Sequence, residues 1–191
     1  YLFATIFRDI RDNFSADMWK EMGYAAKPST FSETEIPITI FILILIGAVV
    51  AVKNSFKAFM IAHVFILIGF VVAGLSTYFF TQKLLDPFWW MLFVGLGLYL
   101  VYIPFNSIYF DRLIAAYSIK GNAGFFIYLA DSIGYVGSVT VMLVKEGMTL
   151  EIEWTTFFSQ SVMILSFVGI FITAYAMYYF ASKSRMTPLI Q

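Results

Sequence analysis

The chain has 191 residues, of which 61% are hydrophobic, 20% aromatic and only 13% charged, and its mean hydropathy is +0.83. A soluble domain carries roughly 45–50% apolar and about 25% charged residues, so the composition excludes an ordinary soluble fold. Formal net charge is zero, which leaves a nucleic-acid partner without electrostatic support, and the absence of cysteine excludes disulfides, thiol catalysis and thiolate metal sites.

The first element is the least expected. Residues 6–23, IFRDIRDNFSADMWKEMG, hold two Arg-Asp pairs in five positions. On a helical wheel of residues 1–22, Phe3, Ile6, Phe7, Ile10, Phe14 and Met18 share one face. Thr5, Arg8, Asp12, Ser15 and Trp19 share the opposite face, with Asp9 and Arg11 on its shoulders. Arg8 and Asp12 stand at i,i+4 and are expected to pair. Two readings follow for this amphipathic helix. It lies in the membrane interface with its apolar face down, or it spans with its polar face on a water-filled cavity. Its length of about 33 Å suffices to span, and charges at that depth pair and mark a solute or ion path.

The remaining elements are apolar runs of membrane-spanning length. Residues 36–52, 58–82, 87–110 and 154–182 carry no charge, and 121–144 carry only Asp131. About 20 apolar residues cross a bilayer, so helices are predicted near 36–53, 57–81, 87–111, 122–145 and 155–182, with Pro37 and Pro87 near helix starts. The expected fold is all-α: a polytopic membrane helix bundle of six helices, or five plus one amphipathic helix, in one transmembrane domain. The runs are continuous, not alternating, which excludes a closed barrel.

Short connections make neighbouring helices antiparallel and sort the charges by side. Lys53, Lys57, Asp111, Arg112, Lys120, Lys183 and Arg185 fall on one side, and Lys27, Glu33, Glu35, Lys83, Asp86, Lys145, Glu146, Glu151 and Glu153 on the other. Six Lys and Arg against three place the first side in the cytoplasm, and the C-terminus with it.

With the opening helix counted, the six helices form two triplets joined at 81–86. The first member of each triplet is the most polar. In the 87–111 helix, Gly95, Tyr99, Tyr102, Asn106 and Tyr109 share a face, and Pro104 predicts a kink or carbonyls freed toward a cavity. This pattern resembles the C-terminal half of a major facilitator superfamily transporter, in which six helices form two inverted triplets whose first helices line a central cavity. The stretch IYFDRLIAAYSIKGNAGFFIYLADSIGYVGS, residues 108–138, is similar to that family's loop between its tenth and eleventh helices and its small-residue-rich eleventh helix. RDIRDNFSADMWKEMG resembles an uncharacterised bacterial branch of the same superfamily, whereas KNSFK at 53–57 lacks the glycine-and-arginine signature often found between the second and third helices of a half. The resemblance implies a secondary transporter of a small solute working by alternating access. It also implies a missing N-terminal half in a 12-helix protein and a bacterial inner membrane. No nucleophile–base pair or metal set stands at a recognisable spacing, so an intramembrane enzyme is the weakest alternative and no cofactor is expected.

The candidate solute- or ion-binding residues are Arg8, Asp9, Arg11, Asp12, Tyr99, Tyr102, Asn106, Asp131 and Tyr135. An Arg can hold an anionic group bidentately, and Asp9, Asp12 or Asp131 could carry a coupling proton. The same charges could instead meet headgroups or tie two helices together. The tyrosines offer stacking area and a hydroxyl, or serve in helix packing. Asp131, with Tyr128, Tyr135 and Ser138 on its face, is a proton site or the partner of Arg112 or Arg8. Ala130, Gly134 and Ser138 form a small-residue stripe for close helix approach. His63, the lone histidine, reads as a hydrogen-bonded residue and not a metal ligand. Asp111 and Arg112 are expected to form an ion pair that fixes a loop, and Trp89, Trp90 and Trp154 to anchor helices at the interface. The competing function is a non-transport membrane subunit, for assembly or sensing, with an external amphipathic helix.

Overall fold

A computed structural model describes residues 1–24, 28–147 and 153–186. Among these all the regular secondary structure is helical. The elements are α1 (Leu2–Glu21), α2 (Pro28–Val50), α3 (Ser55–Thr81), α4 (Pro87–Pro104), a π-helical turn (Phe105–Tyr109), α5 (Phe110–Tyr117), α6 (Ala123–Gly147) and α7 (Trp154–Met186). Five stretches are long and apolar enough to cross a membrane: 29–50, 55–81, 87–117, 123–144 and 154–184. The protein is an integral membrane helix bundle.

α4 lies at the centre, in contact with α1, α2 and α3, and α7 packs on α3 and α1. The main core gathers Ile10, Phe14, Met18 and Trp19 of α1 with Trp90, Met91, Val94 and Leu98 of α4 and Trp154, Phe158 and Val162 of α7. α6 leans chiefly on α1, with a smaller contact to α5. The most apolar 18 residues of the central 87–117 span are 56% buried but those of the α6 span only 11%, so α6 forms one edge of the bundle and leaves a broad face uncovered.

Several boundaries differ from the sequence expectation. α2 begins eight residues before position 36, which puts Glu33, Glu35 and Pro37 inside a helix. The polar stretch before position 36 reads as loop by hydropathy, yet Pro28 opens a helix well because its φ is preset and its missing N–H is not needed there. α3, α6 and α7 match the expected spans to within a few residues. The fourth helix continues through α5 to Tyr117, so Asp111 and Arg112 sit on a helix and not in a loop. No ion pair joins them; Arg112 donates to the carbonyl of Val50 at 3.4 Å.

Pro104 explains the π-turn. It has no N–H for the carbonyl of Leu100, and its ring crowds that carbonyl, so the next turn widens. Ser107 donates to the carbonyl of Ile103 at 2.7 Å. An extra residue in a turn rotates everything downstream by about 100°. Tyr109 therefore leaves the face of Tyr99, Tyr102 and Asn106, and its hydroxyl meets Nε2 of the buried His63 at 3.3 Å. The other ring nitrogen of His63 is 3.0 Å from the carbonyl of Phe59.

Two of the expected interface tryptophans are core residues. Trp90 is fully buried, stacked on Phe80 at 3.9 Å and donating to Thr77 Oγ1 at 3.1 Å. Trp154 is buried and stacks on Phe14 at 4.0 Å. Trp89 is exposed. A hydrophobic window cannot tell a tryptophan facing lipid from one facing a neighbouring helix.

Candidate functional site

α1 determines the site. It carries Arg8, Asp9, Arg11 and Asp12 in its middle, and each such charge alone at mid-bilayer costs about 2.5–3.5 kcal/mol by insertion scales. Four would cost on the order of 10 kcal/mol, so the helix needs partners for them. It finds them by running antiparallel to α4 along most of that helix. Tyr24 donates to Asp86 at 2.8 Å at one end, Arg11 and Asp12 meet the middle of α4, and Tyr1 reaches Tyr102 and Asn106 at the other. The Glu21 carboxylate accepts from the backbone N–H groups of Trp154 and Thr155 at 2.8 and 2.7 Å, capping α7 from another helix.

α6 runs parallel to α1 on its other side. A Cβ at Gly134 would fall 2.9 Å from Thr5, so the small residue is what lets the helices approach. Ser138 donates to Asp9 Oδ2 at 2.5 Å. The wheel of α1 is thus divided differently from the amphipathic expectation. Trp19, on the polar face, is buried, as are Thr5 and Arg11, while Phe3 on the apolar face is exposed.

The expected Arg8–Asp12 pair does not form. Arg8 pairs with Asp9, and its guanidinium lies 3.8 Å over the ring of Tyr102. Arg11 is only 2% exposed. Its Nη1 donates to Asp12 at 3.1 Å, its Nη2 to Glu35 of α2 at 2.7 Å, and Nε and Nη2 both reach the carbonyl of Met91, at 3.3 and 3.0 Å. Gly95, one turn on from Met91, makes this possible: a Cβ there would collide with the guanidinium. Asp12 also accepts from the Tyr99 hydroxyl at 2.9 Å. Arg11, Asp12, Ser15, Phe31, Glu35 and Tyr99 line a half-open cleft of about 180 Å³ between α1, α2 and α4.

Asp131 pairs with neither Arg112 nor Arg8. It accepts from the Tyr1 hydroxyl and from Nδ2 of Asn106 at 3.2 Å, and Asn106 also donates to the Tyr102 hydroxyl at 2.6 Å. Tyr135, 48% exposed, faces the Tyr102 hydroxyl and Arg8.

The nine candidate residues therefore form two adjoining groups along α1 and α4: Arg11, Asp12 and Tyr99 toward α2, and Arg8, Asp9, Tyr102, Asn106, Asp131 and Tyr135 toward α6 and the π-turn. Three partners escaped the sequence reading. Glu35 was hidden by its assignment to a loop. Tyr1 carries no signal beyond being an aromatic at a chain end. Ser138 was assigned only to the small-residue stripe and to the face of Asp131. No metal-binding group of three or more His, Cys, Asp or Glu occurs among the described residues.

Of the charges sorted by side, Arg112 and Lys183 lie at one end of the bundle and Asp86 at the other, while Glu35 lies within α2 on Arg11. Arg112 meets Val50, Tyr117 donates to the carbonyl of Phe180 at 2.8 Å, and Lys183 lies over Tyr117, all at one end. Tyr24, Asp86, Glu21 and Trp154 meet at the opposite end. The side chains of Lys27, Lys145, Glu146, Glu151 and Arg185 lie outside the described residues.

No curated protein and no solved structure matches the chain. A family model matches residues 1–183, and the chain belongs to that family, a family of unknown function (DUF5690).

Proposed function

We propose that this chain is the C-terminal six-helix half of a secondary transporter that moves a small solute by alternating access. The solute site would lie between it and a further half of the same protein. One observation carries the reading: the Arg/Asp face of α1 is turned into the bundle against polar residues of α4, α2 and α6, instead of lying apart from them on a surface. An intramembrane network of ionisable groups at an incompletely covered edge is the usual mark of a solute or ion path. α1 and α4, the first helices of the two triplets, carry most of it, in keeping with a major-facilitator-like half. The sparsely buried face of α6 is where a second half would pack. The lysine and arginine balance favours a cytoplasmic C-terminus in a bacterial inner membrane.

The test is a counterflow screen. Full-length protein is reconstituted in liposomes and offered pooled labelled ammonium compounds, carboxylates, amino acids and sugars. At least one label accumulates above protein-free liposomes, and the accumulation disappears in Arg8→Gln. No accumulation of any class contradicts the proposal.

A second reading is a non-enzymatic assembly or sensor subunit. It draws on Arg11, whose guanidinium donates to Met91, Asp12 and Glu35 of this chain, as it would in a helix clamp. Under that reading the counterflow screen is blank and the uncovered α6 face co-purifies with a different membrane protein.

A further inference from the structure

The charges of the two groups do not balance. Two guanidiniums, Arg8 and Arg11, stand among four carboxylates, Asp9, Asp12, Glu35 and Asp131. Arg8 is taken by Asp9, and Arg11 by Asp12 and Glu35. Asp131 receives only neutral donors, the Tyr1 hydroxyl and the Asn106 amide. Among the described residues no cationic group lies within ion-pair distance of it. A carboxylate at this depth is stable as an anion only with a cation beside it.

Its surroundings are aromatic. Tyr1 stacks on Tyr102 at 5.6 Å and meets Phe105 edge-on at 5.3 Å. On α6 itself Tyr128 and Tyr135 flank Asp131 at i−3 and i+4, on its own face, with 74% and 48% exposure. The ring of Tyr102 already holds one cation, the Arg8 guanidinium, on its face. A hard metal ion needs about six oxygen ligands, and this place offers ring faces and a single carboxylate. Rings around a negative charge select an organic ammonium ion. An anionic solute would add a third excess negative charge to these groups.

We propose that Asp131, with Tyr1, Tyr128 and Tyr135, binds a small organic ammonium ion, Tyr102 holding Tyr1 in place by stacking. The site deepens the transport reading and rests on it for its role in the membrane, because the bound cation is then the solute. The carboxylate meets the ammonium charge, and the rings meet its methyl or methylene groups.

The experiment is thermal unfolding of the purified full-length protein in detergent with benzyltrimethylammonium chloride. Sodium chloride and sodium benzoate at equal concentration serve as controls. The midpoint rises with the ammonium salt and not with the controls, since only binding to the folded state stabilises it. Asp131→Asn keeps a hydrogen-bonding group of the same shape and abolishes the rise. Tyr135→Ala, at an exposed position, weakens binding about fivefold and gives a readout should Asp131→Asn not fold. A rise of equal size in Asp131→Asn, a rise with benzoate that is lost in Arg8→Gln, or no rise with the ammonium salt each overturns the proposal. Because the assay needs no flux, the two readings fail separately. Ammonium binding without counterflow removes the transport reading and leaves the site. Counterflow of a carboxylate that survives Asp131→Asn removes the site and leaves transport.

Discussion

Arg8 and Arg11 are one turn apart on the same helix and lie in different regions. Arg11 is buried in the seam between α1, α2 and α4 beside the half-open cleft, with two carboxylates and a main-chain carbonyl around it. Arg8 sits on the open wall toward α6. Its Nε and Nη2 share one oxygen of Asp9, and its guanidinium lies over the Tyr102 ring and faces Tyr135. Arg11 is held by two carboxylates and a main-chain carbonyl, Arg8 by one carboxylate and two tyrosines. The difference separates the part of the charged helix that holds the bundle from the part free to work in it.

Arg11→Gln should break that comparison most. Removing one partner of a buried ion pair costs about 3–5 kcal/mol. Here the carboxylates of Asp12 and Glu35 are 37% and 39% exposed, so solvent screens them and the expected loss is about 2–4 kcal/mol. Thermal unfolding in detergent reads it, as a clear fall in midpoint.

Gly95→Ala tests the same seam from the α4 side. Its Cβ would enter the space of the Arg11 guanidinium, and overpacking of this kind costs about 1–3 kcal/mol. The double variant Gly95→Ala with Arg11→Met sharpens the point. If the two groups compete for one space, the double variant is less destabilised than the sum of the singles; additive losses would mean that they do not.

Arg8→Gln removes one partner of a pair whose side chains are 12% and 14% exposed, and its expected cost is about 1–2 kcal/mol, less than for Arg11 because Arg8 holds one carboxylate and not two. Its main effect is on counterflow. A stability loss equal to that of Arg11→Gln would erase the distinction between the regions.

The smallest effect is at the α1–α4 end. Tyr24 lies outside the spans and donates to Asp86, and that neighbouring carboxylate raises its pKa above the ordinary value. A raised folded value means that the contact is fully present below the unfolded pKa of about 10 and is lost as pH rises through the higher folded value. Tyr24→Phe should unfold slightly below the parent at pH 7, and the difference should shrink above about pH 11. A growing difference at high pH would reverse the sign.

Much of this architecture is legible in the sequence because a span needs only a run of apolar residues of the right length. The five spans and the small-residue approach of α6 at Gly134 are of that kind. The charged residues of α1 were equally visible. Their partners were not, since pairing depends on which helix lies alongside. Arg8–Asp12 satisfies the i,i+4 rule, yet Tyr102 draws Arg8 onto its ring and Gly95 opens a deeper seat for Arg11. Tyr109 shows the limit of a fixed period, because one widened turn after Pro104 moved it to another face. Glu35 shows the limit of hydropathy, which reads a polar helix start as loop.

The most direct test of the central claim, that the charged face of α1 and the facing wall of α6 border a solute path, uses the absence of cysteine in this chain. Single cysteines replace Asp12 and Tyr135 in the full-length protein in sealed membrane vesicles of both orientations, and a membrane-impermeant maleimide is added. The account predicts labelling of both positions from either side, with a ratio that shifts when the transported solute is added. Labelling from one side alone in every condition, or none at Tyr135, would contradict it.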